Sequence, residues 1–122
     1  MKYLVDSNII IYYLEKDRVV YDFLIKHQND CAISLISYYE VLNYNFNAED
    51  EDKVKVFLEQ FEILNLSKNI IEKALNNRKY KKIKMADNFI LATAQIFDLK
   101  IVTRNAKDFI FFTDMVINPF DA

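Results

Sequence analysis

Short apolar runs alternate with longer segments of helical periodicity along this chain. Apolar runs of about four to eight residues rich in Val and Ile are typical of buried strands, whereas apolar residues at helical spacing indicate amphipathic helices. The apolar runs predict strands at residues 2–6, 31–35, 62–66, 100–103 and 115–117. The periodic segments predict helices at residues 8–15, 19–28, 37–46, 51–60, 68–79 and 87–98, with Ser67 as an N-cap.

This alternation is typical of βαβ units, in which a helix connects two parallel strands. Right-handed crossovers then leave few topologies for the sheet. The sequence shows no internal repeat, linker or low-complexity segment. We therefore predict the α/β class, with a mostly parallel five-stranded sheet in one domain spanning residues 1–122.

Composition excludes several classes of site. The chain has 122 residues and no Gly, which excludes Gly-rich phosphate loops of the Walker and dinucleotide types. Cys31 is the only cysteine, so neither an intrachain disulfide nor a cysteine-based zinc site can form. His27 is the only histidine, so a Ser-His-Asp or Cys-His mechanism would have to use it. It lies near the end of a predicted helix, where a positive charge that interacts with the helix dipole is a simpler role than catalysis.

Charge and hydropathy bear on location and partners. Hydrophobic residues make up 52% of the chain, but no apolar run is long enough to span a membrane. The N-terminus begins with a strand-like segment rather than a signal-peptide pattern, so we expect a cytoplasmic protein with no membrane partner. The net charge of −2 argues against a broad electrostatic grip on nucleic acid, although a local basic patch is compatible with it.

Polar side chains follow apolar runs at four places. Asp6 follows the first predicted strand, Glu40 lies one turn into the helix after the second, Asp87 opens a later helix and Asn105 follows the fourth strand. If the first and fourth strands are neighbours, these side chains meet at the edge of the sheet where α/β proteins bind ligands. Two carboxylates about 4 Å apart repel by roughly 4 kcal/mol, which a cation would offset. Oxygen ligands suit Mg²⁺ or Mn²⁺, so the pattern predicts metal-assisted phosphodiester chemistry.

Each of these residues also has a local structural role open to it. Ser37 and Glu40 match the spacing of a capping box, in which Glu40 would bond back to the start of its helix. Asp6 and Asp87 could act as N-caps, and Asn105 could serve in a turn. Taken singly, the residues leave both interpretations open, whereas their combination favours a shared site.

Four segments in their order along the chain resemble the PIN-domain ribonucleases, especially the small VapC-type toxins of toxin–antitoxin pairs. The segments are residues 5–8, 40–42, 86–94 and 102–109. The resemblance spans nearly the whole chain. Two departures flank Asp87: Asn88 stands where relatives have an apolar residue, and residues 82–85 stand where relatives often have a Gly and a Pro.

The resemblance implies a single PIN-like domain of three layers, α/β/α, and a set of site residues. Asp6, Glu40 and Asp87 align with the three main acids of the family's metal site. Asn105 aligns with a fourth position that is Asp or Asn in the family. Asp108 matches a further acid that we rank below Asn105. Because Asn105 is uncharged, a second metal site would be weakened, so the expectation is one or two ions.

The resemblance also implies an activity and partners. The activity is that of a Mg²⁺- or Mn²⁺-dependent endoribonuclease, a hydrolase that cleaves RNA with a metal-activated water. Thr103 would orient the acids or that water through its hydroxyl. The implied partners are an RNA substrate, a cognate antitoxin protein and a second copy of the chain in a homodimer.

One dense basic run precedes Asp87. Residues 78–84 contain five basic residues around Tyr80, and they could hold RNA phosphates near the site. Lys81, Lys82, Lys84 and the separate Arg104 are the candidate RNA contacts. The alternative is a solvated helix end and loop.

Three other functions compete with the nuclease toxin. A two-component receiver domain has a similar length, but it requires an acidic pair after the first strand, where this chain has Asp6 alone. A housekeeping PIN-type RNA-processing nuclease would share the same residues. An inactive PIN-like module that binds RNA or protein is disfavoured by the intact Asp6, Glu40 and Asp87.

Overall fold

Five short strands form one parallel sheet in the computed structural model, which describes residues 1–121 apart from the side chains of residues 110, 111 and 113. The strands are β1 (Tyr3–Val5), β2 (Cys31–Ser34), β3 (Glu62–Leu64), β4 (Lys100–Val102) and β5 (Val116–Ile117). Their order is β3-β2-β1-β4-β5, and each described pairing is parallel. The predicted α/β class is confirmed. The first and fourth strands are indeed neighbours, with Leu4 opposite Ile101.

Helices connect the strands close to the predicted positions. The α-helices of the described chain are α1 (Ser7–Leu14), α2 (Arg18–His27), α3 (Leu35–Leu42), α4 (Ala48–Leu58), α5 (Lys68–Asn77) and α6 (Met85–Phe97). Ser67 caps α5 as predicted, because its Oγ accepts a hydrogen bond from the N–H of Ile70 at 3.2 Å. No described helix combines the length and apolar character needed to cross a membrane.

Three short 3-10 segments were not predicted from the sequence. They span Gln28–Asp30, Ala106–Met115 and Pro119–Asp121. Such segments lack the long apolar period that identifies an α-helix, so pattern analysis assigns them to loops. The second of them carries Asp108 between β4 and β5.

Alternate residues of each strand pack on opposite faces of the sheet, as the pleat requires. Val5, Ile33 and Val102 face a core that they share with residues of α1 to α4. Leu4, Ala32 and Ile101 face a second core that includes Leu91 and Leu99. Helices therefore cover both faces, which confirms the three-layer α/β/α arrangement.

Because the chain has no glycine, non-glycine residues adopt the left-handed backbone conformation where a turn requires it. Asp98 ends α6 with a φ of 55°, and Lys16 follows α1 with a φ of 65°. Asp tolerates this region better than most residues. The turn at Asp98 leads directly into β4, which places the first turn of α6 and the end of β4 at the same edge of the sheet.

Candidate active site

Asp6 follows β1 directly and is buried. Its backbone adopts an extended conformation with φ −73° and ψ 155°, and its Oδ1 accepts a hydrogen bond from the N–H of Ser7 at 2.8 Å. Asp6 is therefore the N-cap of α1, the local role that the sequence left open. Only 6% of its surface is exposed, which is unusual for a carboxylate without an ion-pair partner.

Thr103 follows β4 and connects Asp6 to the neighbouring strand. Its hydroxyl donates to Asp6 Oδ2 at 2.9 Å and accepts from Asn8 Nδ2 and the Asn105 N–H, each at 3.1 Å. Asn8 Nδ2 also lies 3.3 Å from Asp6 Oδ2, and Asn8 Oδ1 accepts from the N–H of Arg104 at 3.3 Å. These bonds fix the orientation of the Asp6 carboxylate.

Glu40 reaches the site from α3, which follows β2. Its Oε1 accepts a hydrogen bond from the Ser7 hydroxyl at 3.1 Å, across 33 positions in sequence. The capping-box interpretation of Ser37 and Glu40 is wrong, because α3 begins earlier, with Ser34 as its N-cap. Ser37 lies inside the helix, fully buried, and its Oγ has no hydrogen-bond partner within the described chain.

Asp87 lies on the third residue of α6 and is half-buried. The N-cap of α6 is Lys84, whose side chain makes no capping hydrogen bond, so the interpretation of Asp87 as an N-cap is also wrong. A carboxylate in the first turn interacts favourably with the helix dipole. Asp87 therefore lies at the N-terminal end of α6, which faces the edge of the sheet formed by the carboxyl ends of the strands.

The pKa values of Asp6 and Asp87 are both raised. Burial is the main cause for each carboxyl, because the charged form is disfavoured away from water. For Asp6, hydrogen bonds from Thr103 and Ser7 oppose the rise in pKa, while the charges of Glu40 and Asp108 add to it. For Asp87, the charges of Asp6 and Asp108 add to the rise in pKa, and Lys84 opposes it. The charge of Asp108 thus acts on both carboxyls, that of Glu40 acts on Asp6, and that of Asp6 acts on Asp87.

The two candidates for the fourth ligand position lie differently. Asn105 is exposed, and its backbone N–H is bonded to Thr103. Asp108 is partly buried, and its charge reaches both Asp6 and Asp87. Asp108, which the sequence ranked below Asn105, thus acts on both carboxyls through its charge, whereas Asn105 is uncharged.

The candidate RNA contacts fall into two groups. Lys81, Lys82 and Lys84 lie in the loop between α5 and α6, and Lys82 and Lys84 are exposed. Arg104 directly follows Thr103, and its N–H donates to Asn8 Oδ1. Its guanidinium carbon lies 4.5 Å from the ring centroid of Phe120, and its Nη1 donates to Tyr12 Oη at 2.8 Å.

The donor chemistry suits a hard divalent cation. The side chains of Asp6, Glu40, Asp87 and Asp108 offer oxygens alone, and their mutual repulsion is the term that a cation would reverse. The described ion pairs lie elsewhere and join Arg18 to Asp22, Lys53 to Glu49 and Lys68 to Glu72. Among the described residues, no three His, Cys, Asp or Glu side chains converge closely enough to form a complete metal site as they stand.

Sequence reasoning assigned no role to Ser7 or Asn8. Both occupy the segment directly after Asp6, and both contact site residues through their side chains. Their position directly after Asp6 could have indicated these roles, because the first residues of a helix lie close to the N-cap residue.

Comparison with known proteins decides the family. A family model described as PIN domain matches residues 3–111. The chain belongs to the PIN domain family. This confirms the resemblance identified from the four sequence segments.

Solved structures also resemble the chain over nearly its whole length. A toxin–antitoxin complex from Klebsiella pneumoniae contains a chain with 35% identity and a TM-score of 0.88, with coverage of 97% of this chain and 98% of that one. FitAcB from Neisseria gonorrhoeae shows 26% identity and a TM-score of 0.82, with coverage of 98% and 99%. VapBC2 from Rickettsia felis, at 22% identity with a TM-score of 0.80 and coverage of 97% and 98%, shares the fold. No curated protein matches the sequence.

Proposed function

We propose that this PIN domain protein is a metal-dependent endoribonuclease that acts in the cytoplasm as the toxin of a toxin–antitoxin pair. The observation that carries the proposal is the environment of Asp6, a buried carboxylate whose pKa is raised by burial and by the neighbouring acids. A cluster of this kind is costly to the fold and is typical of a functional site. Family membership and the toxin–antitoxin neighbours support the same function.

In this proposal Asp6, Glu40 and Asp87 hold Mg²⁺ or Mn²⁺ through their carboxylate oxygens. Asn105 or Asp108 supplies a further oxygen, so that one or two ions are bound. A bound ion would lower the pKa of a water molecule and offset the charge that develops on the scissile phosphate. The chain needs no histidine for this chemistry, in agreement with the position of its only histidine, His27, at the end of α2.

The hydrogen-bonded residues around Asp6 have a positioning role. Thr103 and Asn8 hold Asp6 Oδ2, and Ser7 connects the Asp6 turn to Glu40. A carboxylate that is already oriented loses less entropy when it binds an ion. Removal of these bonds should therefore weaken ion binding without removing a ligand.

Basic side chains near the acids are the proposed RNA contacts. They are Lys81, Lys82 and Lys84 in the loop before α6, and Arg104 after β4. Arg104 lies over two rings, with its guanidinium carbon 5.1 Å from the Tyr12 ring centroid and 4.5 Å from that of Phe120. A stacked guanidinium retains the planar fork of donors that suits a phosphate.

The proposed protein partners are an antitoxin and a second copy of the chain. A groove of about 280 Å³ between α1, α2 and α4 is lined by Tyr13, Leu24, Ile25 and Phe57. An amphipathic antitoxin helix could place its apolar face there. An Arg from the antitoxin could pair with the carboxylates of the site and exclude metal.

Cleavage assays with the purified chain test the nuclease function. Single-stranded RNA should be cut with Mg²⁺ or Mn²⁺, and not in excess chelator or by the Asp87→Asn variant. Robust cutting in chelator would contradict metal dependence. The absence of cutting under any condition would indicate an inactive binding module.

Expression experiments test the toxin assignment. The wild-type chain alone should slow growth, and Asp87→Asn should relieve the effect. Co-expression with the adjacent open reading frame should yield a complex without nuclease activity. Harmless expression of an RNA-cleaving protein would indicate a housekeeping nuclease, and light scattering on the purified chain tests for the homodimer.

A further inference from the structure

A second crevice begins at Glu40 and runs between α1 and α3. It has a volume of about 390 Å³, and its walls include Ser7, Asn8, Ile11 and Glu40 on one side of the opening. The Ser7 hydroxyl donates to Glu40 Oε1 at 3.1 Å, so the acidic end of the crevice is continuous with the proposed active site. Whatever occupies the crevice therefore lies next to Glu40, one of the proposed site acids.

Two exposed tyrosines also line the crevice. Tyr39 is 66% exposed and Tyr44 is 57% exposed. The ring of Tyr44 contacts that of Phe46, at 6.3 Å between centroids and with an interplanar angle of 32°, which supports it from one side. Ile11 adds a half-buried apolar wall. Flat aromatic and apolar surfaces of this kind accept the face of a planar ring.

Side-chain amides in the crevice can form hydrogen bonds with the edge of such a ring. The side chain of Asn8 is engaged, since its Nδ2 bonds Asp6 and Thr103 and its Oδ1 bonds Arg104. Asn43, the exposed C-cap residue of α3, contributes a second amide to the walls. A carboxamide offers one acceptor and two donors, which can pair with the edge of a nucleobase.

We infer that this crevice is a nucleobase subsite that binds the base of a nucleotide next to the scissile phosphate. Tyr39 and Tyr44 stack on the base, and Asn43 hydrogen-bonds its edge. The subsite rests on the proposed RNA cleavage, because it positions the strand relative to Glu40. It assigns the sequence preference of cleavage to α3, whereas the lysine loop and Arg104 contact the backbone without regard to sequence.

The first test is the cleavage profile of variants on a pool of single-stranded RNAs with random sequence. Wild type should show a preference at one nucleotide beside the cut, and Asn43→Ala should flatten it. Tyr44→Leu should raise KM by about tenfold because a stacked base is lost, whereas Tyr44→Phe should restore it. Tyr21→Leu, an exposed tyrosine on α2, is the matched control and should leave both quantities unchanged.

The second test measures RNA binding without cleavage. Fluorescence anisotropy with the Asp87→Asn protein, in chelator, should show that adding Tyr39→Leu or Tyr44→Leu weakens binding of a short labelled RNA by about tenfold. Binding and cleavage profiles that Asn43→Ala and the tyrosine variants leave unchanged would overturn the subsite. Conversion of a dimer to a monomer by Tyr39→Leu, with the RNA profile unchanged, would overturn it in favour of a subunit contact. Failure of wild type to cleave any RNA would instead overturn the proposed function, and the binding measurement would still decide the subsite.

Discussion

Asp6 and Asp87 are held at the same site in different ways. Asp6 accepts hydrogen bonds from the Ser7 N–H, the Thr103 hydroxyl and the Asn8 amide, which come from segments after two neighbouring strands. Asp87 is half-buried in the first turn of α6, so the position of the helix determines the position of this carboxylate. One carboxylate is fixed by polar bonds to its own oxygens and the other by the packing of the element that carries it.

A second polar cluster, which begins at Asn88 directly after Asp87, joins helix α6 to α5. Asn77 Nδ2 donates to Asn88 Oδ1 at 3.2 Å and to Gln95 Oε1 at 2.8 Å, and Asn88 Nδ2 donates to the carbonyl of Ala74 at 2.8 Å. These bonds join α5 to α6. Asn88 is the residue that departs from the family resemblance, and here it joins the helix carrying Asp87 to its neighbour.

The two carboxylates therefore differ in what is fixed: hydrogen bonds fix the orientation of Asp6, and the packing of α6 fixes the location of Asp87. Hydrogen bonds orient the Asp6 carboxylate, whereas no hydrogen bond described in the structure holds the Asp87 carboxylate. Such a division agrees with the absence, among the described residues, of a complete set of converged acids. We therefore expect variants on the two sides to have similar effects on activity and different effects on stability.

The largest expected effect is on cleavage. Asp6→Asn and Asp87→Asn should each reduce the rate by at least about 100-fold, since each removes one charged ligand of the proposed ion. Single-turnover cleavage of a labelled RNA with Mn²⁺ measures this. Asp52→Asn, an exposed acid on α4, is the control and should cleave like wild type. Activity within tenfold of wild type for either site variant would remove that residue from the ligand set.

The next effect is on stability and should appear on the Asp6 side. Thr103→Val removes the hydroxyl that serves three hydrogen bonds, so the free energy of unfolding should fall by about 1–3 kcal/mol. Thr93→Val is the matched control, because Thr93 is equally buried but bonds only the Phe89 carbonyl of its own helix. Urea unfolding of both variants measures the difference. Equal losses would mean that the bonds to Asp6 contribute nothing specific, and Thr103→Ser should retain most of them.

A smaller loss is expected on the Asp87 side. Asn88→Leu should lower the free energy of unfolding by about 1 kcal/mol, because Asn77 keeps its bond to Gln95. The double variant Asn77→Leu/Asn88→Leu should lose less than the sum of the single variants, since removing both partners leaves fewer unpaired groups. Urea unfolding completes this cycle. Additive losses would show that the two amides do not act as a unit.

The sequence predicted the fold well because the fold depends on periodic apolar residues. The strands and the helices follow from patterns that span many residues, whereas the neighbouring positions of β1 and β4 entered the sequence analysis only as a condition. The placement of Asp6, Glu40 and Asp87 near the ends of these elements followed from the same patterns.

The fine structure of the site could not be predicted, because it depends on local geometry. The true start of α3 at Leu35 turned the apparent capping box into an internal segment, and the 3-10 segment that carries Asp108 has no period to detect. The bond from Ser7 to Glu40 joins residues 33 positions apart. Such contacts become visible only after the elements are packed.

Acidification should stabilise the metal-free protein through both carboxyls. The pKa values of Asp6 and Asp87 are raised in the folded protein, mainly by burial, while an unfolded Asp has a pKa of about 3.9. Their contribution is fully present below the unfolded pKa and is lost as the pH rises through the folded values. On acidification from pH 7 toward the unfolded pKa, melting temperatures in chelator should therefore rise more for wild type than for Asp6→Asn/Asp87→Asn. The same pH dependence in both proteins would contradict the raised values.

The smallest effect concerns Lys84. This lysine lowers the pKa of Asp87, whereas no basic side chain is described as acting on Asp6. Its charge opposes the rise in the pKa of Asp87, so Lys84→Gln should raise that pKa further and should strengthen Mn²⁺ binding by up to about fivefold, the range of an exposed charge pair. Thermal shifts over a Mn²⁺ titration measure this, with Lys55→Gln on α4 as the control. If Lys84 acts instead on RNA phosphates, Mn²⁺ binding should stay constant while the KM for RNA rises and its dependence on salt becomes shallower. The two results separate a lysine that balances the helix-borne acid from one that holds the substrate.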